Sequence, residues 1–434
     1  MKQWSTRGDG LTRRAFIALL LILLLVGCGG DTPAGTPTAA PTATAGATAT
    51  LPQPQVIVPR PENATAAATA TAAVVATTAP PSPTPTSGPL NEPVPVVAKG
   101  GASCEDYPCF DDVAGWEARI QLPAGFQATY FAHVNGTPTS LTFGPDGQLY
   151  VALYEGQIVT IAADGTVNPY VDGFLVPVAL AFQPGTGRLW VSSRVSYTEA
   201  QVSVIEGSQI SQLIGGIPCC YASMHAANGI AFGPDGYAYL AVGARADHGE
   251  VLNSEVQDER HPWEASILRI SPDGRQVESY ARGFRNAYDI AWDGSGRLYA
   301  SDNGPDFGPP EEFHLVVPGG EHGYPWYVCD NCFPPPAGVT IVPPRHELLA
   351  HSAPTGMTAY LAEQFPGYYN NIFLTLWSAF EGAQKIVRFG PGGEGMTDFA
   401  TGFAAPIDVT VGPDGSLYVA DFATGIIFRI SYTG

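Results

Sequence analysis

Three features of the sequence predict an all-β fold, a six-bladed β-propeller. A strand–turn–strand pattern recurs six times along the chain. β-rich segments bounded by Gly or Asp turns fill the gaps between copies. No run carries the long amphipathic period of a helix, which disfavours α/β barrels. Each copy joins a small or polar residue, a short apolar strand, a Pro/Gly/Asp turn and an aromatic-rich strand. The copies are PTSLTFGPDGQLYVALY from Pro138, PVALAFQPGTGRLWVSSR from Pro177, ANGIAFGPDGYAYLAVGA from Ala227 and AYDIAWDGSGRLYASDN from Ala287. A longer-turned copy, PTGMTAYLAEQFPGYYNNIFLTLWS, starts at Pro354, and PIDVTVGPDGSLYVADF starts at Pro406. GQIVTIAADG, ASILRISPDG, KIVRFGPGG and GIIFRISYTG are third-strand candidates. ARIQLPAGFQATYFAHV, from Ala118, is expected to close the ring beside the last blade and so remove the exposed edges.

The propeller is expected over residues 100–434, behind two segments of different composition. TRRAFIALLLILLLVGC places two arginines before an apolar run of about 13 residues, the length of a signal peptide and short for a membrane span. Leu25-Val26-Gly27-Cys28 resembles a bacterial lipobox, with cleavage after residue 27 and lipidation of Cys28. Thr12-Arg13-Arg14-Ala15-Phe16 is an incomplete twin-arginine motif. Residues 28–99 are a Pro/Thr/Ala-rich, low-complexity linker that buries too little apolar surface to order itself. These segments predict an exported protein, lipid-anchored to the outer face of the bacterial cell membrane or in the periplasm. The linker supplies reach.

The formal net charge of −20 argues against nucleic acid, whose phosphates need a basic face. With Cys28 lipidated, six cysteines remain in three close pairs: Cys104/Cys109, Cys219/Cys220 and Cys329/Cys332. In an oxidising compartment they read as disulfides, local or cross-paired between loops. CDNC has no second Cys-x-x-Cys to complete a four-thiolate zinc site.

In a propeller the first strand of each blade lines the central channel, so the residues leading into those strands converge on one funnel. His225 lies three residues before Asn228-Gly229 at such a point. Arg285-Asn286, Asp289, His351 and Asp408 stand at corresponding points in other blades. This set reads as a polar pocket.

SMHAANGIAFGPDG, YARGFRNAYDIAWDGSGRLYASDNGPD and PPEEFHLVVPGGEHGYPW, with HSAPTGMTAY and PIDVTVGPDGSLYVAD, resemble the glucose/sorbosone dehydrogenase family over roughly residues 115–433. The resemblance implies a six-bladed enzyme that oxidises the anomeric or aldehyde carbon of a sugar. It implies pyrroloquinoline quinone (PQQ) and calcium as cofactors, and electrons passed to an acceptor that the sequence does not identify. By the same resemblance His225 is the general base, a role suited to an imidazole titrating near neutrality. Arg285, Asn286 and Asn228 are implied on the cofactor side, and Gly304 and Pro305 with Asp302 at the calcium. Asp306 is near enough to add a ligand. Glu311 and Glu312 read as loop structure, and Tyr324-Pro325-Trp326 as loop packing.

The chain departs from the family where basic residues would meet the carboxylates of PQQ. FLTLWSAFEG and FAAPIDV place Trp377, Ala405 and Ile407 there, and GFLVPVALAF lacks a glutamine expected before the second inner strand. These departures keep two other readings open. One is a metal-dependent, lactonase-like hydrolase with Asn228, Asp289 and Asp408 as ligands. The other is a carbohydrate-binding module that has lost PQQ.

Overall fold

A computed structural model describes residues 103–104, 107–196, 198–219, 224–247, 261–305, 309–326 and 335–434. The leader, the linker and Cys28 lie outside these residues, as do Asp306, Cys220, Cys329 and Cys332.

The described residues start with a two-stranded ribbon, β1 (Ser103–Cys104) and β2 (Tyr107–Pro108), then α1 (Val113–Arg119) and β3 (Phe126–His133). Six four-stranded antiparallel sheets make up the rest. Blade 1 is β4 (Pro138–Phe143), β5 (Leu149–Leu153), β6 (Ile158–Ile161) and β7 (Val167–Val171). Blade 2 is β8 (Leu175–Phe182), β9 (Leu189–Arg194), β10 (Glu199–Glu206) and β11 (Gln209–Pro218). Blade 3 is β12 (Ala227–Phe232), β13 (Ala238–Val242), β14 (Ser266–Ile270) and β15 (Val277–Arg282). Blade 4 is β16 (Ala287–Trp292), β17 (Leu298–Asp302), β18 (Glu311–Leu315) and β19 (His346–Leu348). Blade 5 is β20 (Pro354–Ala359), β21 (Ile372–Leu376), β22 (Lys385–Gly390) and β23 (Glu394–Thr401). Blade 6 is β24 (Pro406–Val411), β25 (Leu417–Asp421), β26 (Ile426–Tyr432) and β3.

The six inner strands, β4, β8, β12, β16, β20 and β24, pack each on the next around a closed circle. Five begin at the residues the repeats predict, and β8 begins two residues earlier. All four expected third strands are present. The last blade borrows its outer strand from the start of the domain: β3 pairs with β26 from Tyr432↔Phe126 to Ile426↔His133. The expected closing segment thus becomes a strand only at Phe126. Its first residues, Ala118 and Arg119, end α1, a seven-residue helix too short to show a period in the sequence. Asp112 caps α1 by accepting the Gly115 N–H at 2.9 Å, and Trp116 is fully buried against Phe428.

Each blade is covered on both faces, so β5, β13, β21 and β25 are buried at every position. The turns between first and second strands share one construction. Asp146, Asp235 and Asp414 each accept a backbone N–H two residues on, at 3.1, 3.2 and 3.1 Å. Each also accepts the hydroxyl of a second-strand tyrosine: Tyr150 at 3.1 Å, Tyr239 at 3.0 Å and Tyr418 at 3.3 Å. Asp293 repeats this with Tyr299 at 3.3 Å. This end of the propeller is a set of near-identical staples. Among the described residues no helix is long and apolar enough to cross a membrane.

Candidate active site at the funnel

Antiparallel pairing puts the start of each first strand beside the end of the second, as in Ala287↔Asp302 and Ala227↔Val242. The segments around His225, Arg285-Asn286, Asp302–Pro305, His351–Ala353 and Trp377 therefore share one end of the ring, opposite the staples.

The polar wall is built around Asp302, which is fully buried at the end of β17. Its carboxylate accepts the N–H of Arg285 at 3.0 Å and of Asn286 at 2.7 Å. Burial and the neighbouring Glu312 push its pKa up to about 8. Arg285 is ion-paired to Asp247 at 2.5 Å, and a second guanidinium nitrogen donates to the Asn303 carbonyl at 3.2 Å. The Asn286 Oδ1 accepts from Asn228 Nδ2 at 2.8 Å. Asn228 also donates to the Ala287 carbonyl at 2.9 Å, and its Oδ1 accepts the Ala226 N–H at 3.1 Å. The Asn228 carboxamide is thus spent inside the frame, locking the His225 segment to blade 4. A Cβ on Gly243 would sit 2.6 Å from Asn286 Oδ1 and 3.2 Å from the His225 backbone, so only glycine fits between them. Burial, then the nearby Arg285 guanidinium, hold the His225 imidazole well below its ordinary pKa. It is neutral at physiological pH.

Behind the wall, Glu311 accepts the Gly304 N–H at 2.6 Å, and burial raises its pKa to about 7. Ligand atoms of Asp302, Glu312 and His314 lie within 4.8 Å of one another, a spacing that suits a metal. The hydrogen bonds give this cluster a different order. Val317 donates its N–H to His322 Nε2 at 3.2 Å, so the His322 proton sits on Nδ1, facing His314 Nδ1 at 3.3 Å. His314 then carries its proton on Nε2, 3.0 Å from Glu312. Burial pushes both imidazoles down to about 3.

Tyr288 closes the floor. It is the second residue of β16 in blade 4, and its hydroxyl donates at 3.3 Å to the Thr139 carbonyl on β4 in blade 1, directly across the ring. Met224, beside His225, also meets that hydroxyl at 3.7 Å. Below this crossbar lies a cavity of about 290 Å³ whose lining includes Asp289 and Asp408. Both oxygens of each aspartate are occupied. Asp289 accepts the N–H of Met357 and of Ile290 at 2.8 Å each. Asp408 accepts those of Leu141 at 2.8 Å and Val409 at 2.7 Å. Burial, then the charge of Asp408, raise Asp289 well above the carboxylate range, and burial raises Asp408 to about 7. The sequence placed both with the funnel. The structure puts them beyond Tyr288, so Asn228, Asp289 and Asp408 do not converge and the hydrolase ligand set is not formed.

Opposite the polar wall, where basic residues were expected, the surface is aromatic. Trp377 packs edge-on against Phe422 at 5.5 Å, and Phe422 against Tyr154 at 6.4 Å. Ala405 and Ile407 are buried. Asp247 and Tyr288 are site residues that the sequence reading missed. Tyr288 could have been found by stacking the six copies, since it is the one aromatic ring at its position. Asp247 follows its copy in a loop without periodicity and gave no signal.

A profile for glucose/sorbosone dehydrogenases matches residues 136–429, well over half of the chain. The chain belongs to the glucose/sorbosone dehydrogenase family. Glucose/sorbosone dehydrogenases are sugar-oxidising oxidoreductases. The fold is that of the PQQ-bound aldose sugar dehydrogenase of Streptomyces coelicolor, 21% identical, with a TM-score of 0.56 over 72% of this chain and 99% of that one. The apo soluble aldose sugar dehydrogenase of Escherichia coli is 17% identical, with a TM-score of 0.57 over 71% of this chain and 99% of that one. An uncharacterised protein of Borreliella burgdorferi is 28% identical over 199 residues, which is 39% of this chain; the match spans about half, 52%, of that protein's length.

Proposed function

We propose that this dehydrogenase oxidises the anomeric carbon of an aldose at the funnel, using PQQ and calcium, as an exported, lipid-anchored protein. The observation that carries the reading is a buried histidine held neutral beside an anchored Arg–Asn pair. The donor set fits the oxygen edge of a quinone. Asn286 Oδ1 is fixed by Asn228, and its Nδ2 has no hydrogen bond among the described residues. Arg285 is held by Asp247 in a fixed direction. PQQ bound there would supply the two-electron acceptor that no side chain of this chain provides.

His225 takes the proton of the sugar hydroxyl on its basic ring nitrogen. A low pKa keeps that nitrogen unprotonated at working pH. Asn286 and Arg285 would hold the oxygen edge of the cofactor. Asp302 fixes both by their backbones, and Asn228 acts through the same frame. The carbonyls of Gly304 and Pro305 accept no hydrogen bond from the described residues and are hard oxygen donors suited to calcium. Asp302, with both oxygens on N–H groups, supports that loop from behind. Cys109 and Cys219 are disulfide-bonded, which supports an oxidising compartment. Tyr288 keeps water of the lower cavity from the floor of the site.

Calorimetric titration of PQQ with calcium into the protein tests the reading. Saturable binding, together with aldose oxidation that disappears in His225→Ala, is expected. No binding at tens of micromolar PQQ would overturn it.

A further inference from the structure

Blade 5 meets the funnel with a segment whose backbone conformation costs stability. His351 and Ala353 are non-glycine residues in the left-handed region, with φ of 60° and 50°. Such residues persist only where the surroundings enforce them, and they gather at functional sites. Between them Ser352 is fully buried, and its hydroxyl has no hydrogen-bond partner. The Trp377 indole Nε1 is likewise buried without a partner. The two segments run side by side: Trp377 donates its N–H to the Ala353 carbonyl at 2.9 Å, and Ser378 donates to the Ser352 carbonyl at 3.1 Å. Buried polar groups are nearly always satisfied, so two orphans on adjacent segments mark a place where a partner is missing. Glu311 takes the Ala353 N–H as well as that of Gly304, tying this segment to the proposed calcium loop.

We propose that Ser352 and Trp377 form a neutral donor pair that receives a carboxylate oxygen of a planar ring cofactor in the funnel. Phe422 and Tyr154 extend the same wall with apolar surface. The site holds its ligand by oriented hydrogen bonds and ring contact on this side, where Trp377, Ala405 and Ile407 leave no cation. The inference rests on the PQQ reading and assigns residues that the family resemblance does not.

Two properties separate this role from a purely structural one. The first is opposite signs in stability and affinity. Ser352→Ala removes an unsatisfied buried hydroxyl, so the cofactor-free protein should melt at an equal or higher temperature while its PQQ affinity falls about tenfold. Trp377→Phe keeps a ring and loses the N–H, and should also bind about tenfold more weakly. The second is salt. Charge-held contacts lose affinity as salt screens them, whereas buried neutral donors do not. The loss caused by each substitution should therefore agree within about threefold at about 50 and about 500 mM NaCl. The experiment is calorimetry of PQQ with calcium into full-length wild type, Ser352→Ala and Trp377→Phe at both salt concentrations, with melting temperatures of the free proteins. Wild-type binding with both variants unimpaired would overturn the donor pair and leave the dehydrogenase reading standing. A loss in the variants that disappears at high salt would also overturn the pair. Absence of wild-type binding would overturn both.

Discussion

The two ends of the propeller are built from the same strands and obey different rules. At the turn end, one solution recurs: an aspartate caps a tight turn and takes a tyrosine hydroxyl, in blades 1, 3, 4 and 6. The turn carboxylates Asp235, Asp293 and Asp414 sit below their ordinary pKa, where ionised groups belong. At the funnel end, Asp421 accepts the N–H of Ala404 and of Ala405 at 2.8 and 2.9 Å much as Asp302 accepts those of Arg285 and Asn286, and the rest differs from blade to blade. Asp302, Glu311 and Glu312 are pushed up to about 8, 7 and 8. Histidines are pushed down, backbones are left-handed, and donors lack acceptors. Local stability is spread evenly over the first end and spent unevenly at the second, where strain and mispaired polarity mark chemistry.

The comparison is broken most severely at His225. His225→Ala should lower sugar oxidation by about 10²- to 10⁴-fold with little change in melting temperature, read by steady-state kinetics. The pH profile sharpens the point. A folded-state pKa depressed below the usual value near 6.5 keeps the base active as pH falls through that value. The wild-type kcat/KM should therefore stay flat across pH 6.5, and an acid limb centred there would contradict the role. The same shift has a stability sign: the unfolded chain gains a proton on this histidine below about 6.5 and the folded chain does not, so acidification destabilises the fold.

Tyr288→Ala removes the crossbar and should cost about 4 kcal/mol in urea unfolding, joining the funnel to the lower cavity. Tyr288→Phe should cost about 1 kcal/mol, because only the hydrogen bonds go. Asp302→Ala leaves two buried N–H groups without an acceptor. It should cost about 3 kcal/mol and weaken PQQ binding in the same variant, read by denaturation and calorimetry. The turn end should respond least. Tyr150→Phe, Tyr239→Phe and Tyr418→Phe should each cost about 1 kcal/mol or less and add in combination, since each serves its own blade. A strongly non-additive triple variant would show that the staples are not independent.

The sequence carried the repeating end almost completely. Six inner strands, their turns, the third strands and the closing strand follow from period and turn chemistry, because those are local properties. The funnel was legible only as a list of lead-in residues. Their depth was not legible. Asp289 and Asp408 differ from Arg285 and His225 by a few positions along a strand, and those positions decide which side of Tyr288 they occupy. Partners from distant segments were also invisible: Asp247 to Arg285, Asp302 to two backbone amides, and Asn228 to Asn286. α1 escaped because seven residues cannot display a helical period.

The Tyr288 crossbar sets the traffic of the enzyme. With the channel blocked between blades 4 and 1, the ring offers one doorway instead of two. On the PQQ reading proposed above, a cofactor resting against that floor would load before any sugar and could not leave beneath a bound one. Sugar and oxidised product would share the doorway, and the electron acceptor would come to it after the product has gone. The two half-reactions would then alternate, giving ping-pong kinetics in which substrate and acceptor compete for the same free opening.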